Sequence, residues 1–289
     1  MEATTTAEVA TRTAPVDYLL QLADDALVLG QRNAEWCGHG PILEEDLALA
    51  NHSLDHLGLA RLLYQHAAAC IEADATEQAR FAHLQGARHG GVVTEDTLAY
   101  FRDTPEFRNH TLAELPHHGP LAGPARTDRD FATTVVRNFL FSALTVPLWT
   151  ALQDSADAQL AGIAAKSLKE ARYHQRHAGD WLVRLGDGTD ESHARTQAAL
   201  NHLLPFCQEF WVTSEAEAQA VASGTGVALA SLRDAWNATV DAALAQATLQ
   251  RPADGGFVPT GKRGVHSEHM GYLLAEMQSL ARAHPDAVW

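Results

Sequence analysis

The 289-residue sequence predicts an all-α protein: a four-helix bundle in which one long connection joins two helix pairs, with extra helices at the C-terminal end. Three observations carry this reading. Apolar residues recur at helical spacing over several long stretches. No run alternates as a half-buried strand would. Glycine and proline gather between residues 86 and 129, between periodic stretches on either side.

The elements follow in chain order. Val16 to Arg32 places Leu19, Leu20, Leu22, Ala23, Leu27 and Leu29 mostly on one face, and WCGHGP ends that helix. A longer helix starts at about Ile42, with Glu44, Glu45 and Asp46 in its first turn, where negative charge meets the positive end of the helix dipole. It runs without proline through LALANHSLDHLGLARLLYQHAAACIEA. Residues 86–129 read as an extended connection with one or two short helices, a type of segment that is usually functional or interface-forming. The pattern resumes after Asp130 in FATTVVRNFLFSALTVPLWTALQDS, where Pro147 predicts a bend. A fourth helix spans about Ala156 to Leu185; RLGDGTD ends it and offers Thr189 or Asp190 as the next N-cap. Further helices are expected at about 191–209, 227–248 and 267–283, before Pro285. Two helix pairs with a crossover suit the ferritin-like arrangement. With no internal repeat and no linker, we divide the chain into a flexible N-terminus, 1–14, and a single helical domain, 15–289.

The totals narrow the function. With 21 Lys and Arg against 36 Asp and Glu, the formal charge is −15, which argues against nucleic acid or anionic lipid as partners. No apolar run is expected to approach bilayer length and the N-terminus lacks a signal-peptide pattern, so the expected location is the cytoplasm. Cys37, Cys70 and Cys207 are too scattered for a disulfide framework or zinc ribbon and read as buried free thiols. Sixteen histidines keep a metal site in view.

In a bundle of this kind a di-iron centre takes a Glu from each of two helices and Glu-x-x-His from each of the other two. Residues three apart share a helix face, so both side chains reach the same ions. The first helix offers Asp24 or Asp25. The second has Asp55, but Gly58 stands where the histidine belongs; His52, three residues earlier, reads as a solvated or capping partner. The third has no acid between Asp130 and Asp154, and its polar choices, Thr133, Thr134, Arg137, Asn138, Ser142 and Thr145, do not replace a bridging carboxylate. The fourth has His174, with Ala171 at the glutamate position and Glu170 beside it. Asp25, Asp55, Glu170 and His174 are thus the residual polar positions of a lost site, and no residue is assigned a catalytic, cofactor-binding or metal-ligating role. A single weak metal held by Glu170, His174, Asp55 and His52 is the alternative.

Other motifs rank lower. Glu114-x-x-His117 contains Pro116 and reads as a loop; GKRG at 261–264 reads as a solvated basic turn before a helix; SGTG at 223–226 is a turn; His266 and His269 read as polar residues of a first helical turn. Ser, His and Asp occur without a nucleophile turn, so a hydrolase is not indicated.

Three segments, WCGHGPILEEDLALAN, KEARYHQRHAGDWLVRLGDGTDESHAR and HSEHMGYLLAEMQSLARAHP, resemble the C subunit of the bacterial ring-1,2-phenylacetyl-CoA epoxidases, and the likeness extends from about Asp17 to Trp289. The resemblance implies a structural, ferritin-like subunit without a cofactor of its own. It would pair with the homologous A subunit, which holds the di-iron centre and binds the acyl-CoA, in an assembly with a small B subunit and a reductase E subunit that draws electrons from NADPH. In the A sibling the matching segment looks like KEESFHQ, so its metal-binding Glu falls at Ala171 and its His at His174. Trp36, Trp149, Trp211 and Trp289 are interface anchors or core residues, the core being favoured for the first two. Whether Lys262 and Arg263 meet coenzyme A on a partner stays open. The rival readings are a stand-alone ferritin-like oxygenase or oxidase with a mononuclear site, and a helical interaction protein unconnected with phenylacetate.

Overall fold

The structure, a computed structural model, describes residues 12–85, 91–118 and 129–287. Residues 1–11 of the predicted flexible terminus, Gly86, Gly90, all of the punctuation at 119–128, and Trp289 lie outside these.

Two long hairpins form the bundle. The first is α1, Val16–Ala34, packed along α2, Leu43–Ala73. Asp17 in the first turn and Arg32 in the last complement the α1 dipole, and almost every α1 side chain is buried because other elements cover it on all sides. Gly30 marks the close approach of the pair: a Cβ there would stand 3.0 Å from that of His56. The short helices α3, Ala75–Arg80, α4, Glu95–Tyr100, and α5, Thr111–Glu114, follow, the latter two lying in the crossover and lining α2 and α1 respectively.

The second hairpin pairs α6, Phe131–Leu152, with α7, Ala158–Gly186. Asp130 caps α6 through the Ala132 N–H, and Asp157 caps α7 through the Leu160 N–H. Helix α6 continues through Pro147. Contrary to the expectation from sequence, it is long and apolar enough to cross a bilayer, although 72% of its apolar window is buried within the protein, where that surface forms core.

Helix α8, Asp190–Leu203, starts at a Thr189 cap reciprocated by Ser192. It ends earlier than the expected 191–209 because Pro205 lacks an N–H, and Leu204–Trp211 winds on as 3₁₀ helix. A further helix, α9, Glu215–Ser223, was not anticipated; Ser214 caps it and Gly224 at φ 75° closes it. The expected 227–248 helix is a 3₁₀ turn at Leu229–Leu232 followed by α10, Arg233–Gln246, and α11, Glu268–Ala283, completes the chain. Helices α8 and α10 lie on the α6–α7 pair, whereas α9 and α11 lie on α1. The described residues contain no strand, only an isolated bridge between Thr260 and Val265.

Trp36 and Trp149 are core residues, each 3% exposed; Trp211 is half-buried against the core. The cysteines depart from expectation: Cys207 is buried, Cys70 is intermediate, and Cys37, in the turn after α1, is exposed.

Candidate functional site

A cavity of about 40 Å³ sits where α1, α2, α6 and α7 converge. Asp25 comes from α1, Asp55 and His56 from α2, Glu170, Ala171 and His174 from α7, and His110 from the crossover. All four residual polar positions read from the sequence therefore meet around one space. From α6 the lining is Phe141, Leu144, Thr145, Leu148 and Trp149.

Two of the three acids, Asp25 and Asp55, are already engaged. Asp25 Oδ1 accepts the His110 backbone N–H at 2.7 Å, and its Oδ2 lies 2.7 Å from His110 Nδ1. Asp24, one residue earlier and about 100° further round the helix, points to the crossover instead. There it meets Arg102 in an ion pair with both side chains at 0% exposure, accepts from Tyr64 Oη at 2.5 Å, and accepts from the Arg108 N–H at 2.7 Å. Asp55 Oδ2 lies 2.9 Å from His174 Nε2. Burial, together with the Asp55 charge, raises the Glu170 carboxyl above its usual range, while burial outweighs Asp55 and lowers the His174 imidazole.

Beside the cavity, four histidines cluster between α2 and α7, their rings tilted or edge-on to one another. His52 lies 4.3 Å from His174 and 4.7 Å from His177 between ring centroids, and His56 lies 4.8 Å from His174. His177 Nε2 is 2.9 Å from Glu45 Oε2. His52 is thus not the solvated partner expected: it is 1% exposed, and its Nε2 has no hydrogen-bond partner. Burial, then the neighbouring imidazoles, pushes it down to about 2.

Thr134, Arg137, Ser142 and Thr145 of α6 are spent on structure, while Asn138 Oδ1 is buried without a partner. Arg137, fully buried, donates to the Leu115 carbonyl at 2.6 Å; burial, then the Arg32 charge, lowers it to about 9. Thr134 accepts from Trp36 Nε1 at 2.9 Å, and Ser142 donates to the Phe139 carbonyl. Glu114 and His117 separate at Pro116. Glu114, fully buried at the end of α5, accepts from Ser267 N–H at 2.6 Å and from Asn109 Nδ2 at 3.0 Å and lies 2.7 Å from His266 Nδ1; His117 Nε2 donates to the Arg32 carbonyl.

Two C-terminal segments differ from the sequence expectation. GKRG is not a solvated turn: Lys262 is 4% exposed, with Nζ 3.4 Å from Glu217 Oε2 and its N–H on Glu209, because Glu209 and Glu217 place two buried carboxylates beneath it. Arg263 alone is exposed. His266 is likewise tucked against Glu114 rather than displayed in a first turn.

The residues do not fit a di-iron centre. Two irons need several carboxylates to bridge them and offset their charge. Here α6 contributes none, Ala171 offers no donor, and Asp25 is held at both oxygens by His110. Among the described residues no three His, Cys, Asp or Glu side chains are grouped so as to hold a metal. Sequence reasoning missed His110, which reaches Asp25 across 85 residues of chain, and His56, although its i,i+4 spacing from His52 was visible.

Two long helical hairpins around a polar centre, joined by a crossover, define a ferritin-like protein. The sequence model of the family described as phenylacetic acid catabolic protein matches residues 1–289, and the chain belongs to that family. It is 42% identical over 272 residues, 94% of this chain and 98% of the other, to the C subunit of the 1,2-phenylacetyl-CoA epoxidase of Escherichia coli (strain K12).

Proposed function

We propose that this chain is the structural, non-catalytic C-type subunit of a phenylacetyl-CoA 1,2-epoxidase in aerobic phenylacetate catabolism. It pairs with a di-iron A subunit and holds it in its active shape; the small B subunit and the NADPH-dependent reductase E subunit belong to the same assembly. The chain itself carries no cofactor, and the iron resides in the A subunit. The likeness to an epoxidase C subunit supports the assignment to that assembly. One observation supports the non-catalytic role: at the point where the four helices converge, Asp25 and Asp55 are tied to histidines, Glu170 is the one remaining carboxylate lining the cavity, and α6 supplies none. Oxygen activation between two reducible ions requires those ligands, so their loss removes the reaction rather than slowing it.

The test is reconstitution with the A subunit of the same organism. The purified chain is expected to hold iron well below one per chain, to show no epoxidation with the reductase and NADPH, and to raise the stability and turnover of the A subunit. Near-stoichiometric iron that His174→Ala abolishes, or an A subunit equally stable and active alone, would overturn the proposal.

A further inference from the structure

Helix α2 is apolar on two sides. Its inner side is buried through Leu49, Leu59, Leu63 and Ile71 against the bundle. Its outer side exposes Leu43, Leu47 and Leu54 at 71%, 57% and 66%. Between Leu43 and Arg61 the other exposed positions are Glu44, Asn51 and Gly58. A water-facing helix stripe is normally charged, whereas a helix apolar on opposite sides belongs between two layers, and the described residues supply only one of them.

Alongside runs a ridge of the opposite character. Lys166, Lys169, Arg172 and Arg176 are exposed on α7 in a chain whose net charge is −15. No ion pair ties any of them to another described residue, although the Lys166 charge reaches the half-buried Glu170. Tyr173, 45% exposed, joins the two stripes: its ring lies 5.6 Å from that of His52 on α2, and Arg176 sits over it at 5.5 Å. From Leu43 to Leu54 the apolar stripe extends about 17 Å, and the basic ridge about 15 Å, at 1.5 Å per residue. They form a two-helix platform, apolar along one rail and cationic along the other.

We propose that this α2–α7 platform is the docking surface for the A subunit. The inference rests on the reading of the preceding subsection and adds the place of contact and its chemistry. Leu43, Leu47, Leu54 and Tyr173 form the dehydrated centre, and the Lys166–Arg176 ridge meets Asp and Glu side chains along one edge of the partner. Charge narrows the occupant: four cations with no ion pair among the described residues repel a second basic ridge, which counts against self-pairing through this face, and attract an acidic edge on a different subunit of the proposed assembly. A platform of two long helices fits a partner that lays helices along it, with apolar anchors central and charges at the rim.

The experiment co-expresses the full chain with the A subunit and measures Kd for the purified pair. Wild type is compared with Leu47→Asp/Leu54→Asp, Lys169→Glu/Arg172→Glu and Gly58→Trp; Tyr272→Asp/Leu280→Asp on α11 is the control, those side chains being 74% and 55% exposed. Gly58 is a steric probe because a Cβ there meets nothing within 4 Å. The leucine pair is expected to weaken binding about 100-fold and the charge reversal about 10-fold, with a flatter salt dependence. Gly58→Trp should weaken binding as well, while the α11 control stays within about two-fold. Melting temperatures of the free chain should stay near wild type, since every changed side chain is exposed. If wild type binds the A subunit and the platform variants bind equally well, the docking assignment is wrong and the structural role survives. If wild type does not bind it at all, both fall. Loss of the B subunit or the reductase instead of A, or dissociation of a homodimer in the leucine variant, would place another occupant there and overturn the assignment.

Discussion

Asp24→Asn is expected to be among the most damaging polar substitutions in the chain. The carboxylate and the Arg102 guanidinium are both at 0% exposure. Arg102 also donates to the carbonyls of Leu98 at 2.6 Å and Glu106 at 3.0 Å, so it cannot follow a lost partner out to solvent. The amide keeps the volume of Asp24 but removes its charge, and turns one acceptor oxygen into a donor facing either Arg102 or the Arg108 N–H. A buried cation left without its anion costs about 3–5 kcal/mol. In a protein of this size that corresponds to a fall in melting temperature of about 10 °C. Far-UV circular dichroism at pH 7 measures it, with and without added ferrous iron. Because Asp24 serves the crossover, iron should not alter the loss. Asp24→Asn/Arg102→Met removes both charges and should recover most of the stability, as replacement of a buried pair by apolar groups often does. A single variant within about 2 °C of wild type, or a double variant no better than the single, would refute the account.

The remaining tests address the centre and the helix contacts. Ala171→Glu places a carboxylate beside a cavity of about 40 Å³ and should cost about 2–4 kcal/mol through overpacking and charge burial. Bound iron, read by elemental analysis, should stay well below stoichiometric because α6 still lacks a carboxylate; two irons per chain would contradict the donor argument. Acid should destabilise the fold: the imidazoles of His52, His56 and His174 are held below their ordinary value of 6.5, so each favours folding when neutral. That contribution is complete above pH 6.5 and declines as pH falls below it, the unfolded chain then binding protons the native state refuses. His66 has the opposite sign: burial opposes its charge, but Asp157 and Cys70 hold it up to about 9, so its contribution is full below 6.5 and is lost as pH rises through about 9. Urea midpoints from pH 5 to 10 should therefore peak between these limits. His52→Leu removes a buried nitrogen that has no partner and should raise stability at pH 7 by about 1 kcal/mol while flattening the acid limb; a loss would show that the imidazole cluster is worth more than its desolvation. Gly186→Ala would drive its Cβ into the Ala247 carbonyl and should cost about 1–3 kcal/mol in a thermal melt.

How much of this was legible follows from how local each cause is. The four bundle helices and the Thr189 cap are written in short-range spacing, and the structure places them within a few residues of the expected bounds. The break at Pro205 was also local, yet the apolar periodicity through LLPF masked it. Helix α9 carried its own signature, Ser214 followed three residues later by Glu217, but its few apolar side chains gave no strong periodic signal. At the centre, Asp25, Asp55, Glu170 and His174 could be read because i,i+3 and i,i+4 spacing says which side chains share a face. What each acid is bonded to could not be read. His110 reaches Asp25 from the crossover, and Lys262 reaches Glu217 across 45 residues, contacts set by packing rather than by spacing.

Those long-range contacts share a chemical pattern that bears on why the fold persists without the ligand set for two irons. Bridging carboxylates in a metal-bearing bundle are stabilised by the cations they bind, and without such cations each buried carboxylate needs another donor or must take up a proton. Here imidazoles supply it repeatedly: His110 for Asp25, His174 for Asp55, His177 for Glu45, His266 for Glu114 and His66 for Asp157. Three of the five histidines come from a different long helix than their acid, and His110 and His266 come from the segments that wrap the bundle, so each pair also fixes one element against another. The unusual histidine content thereby acquires a cause other than metal binding: imidazole can donate to a buried or half-buried carboxylate as a neutral ring, or as a cation where its partners hold it up, as at His66. A bundle held together this way keeps its helices at fixed spacing, as the proposed structural role requires of the surface it presents.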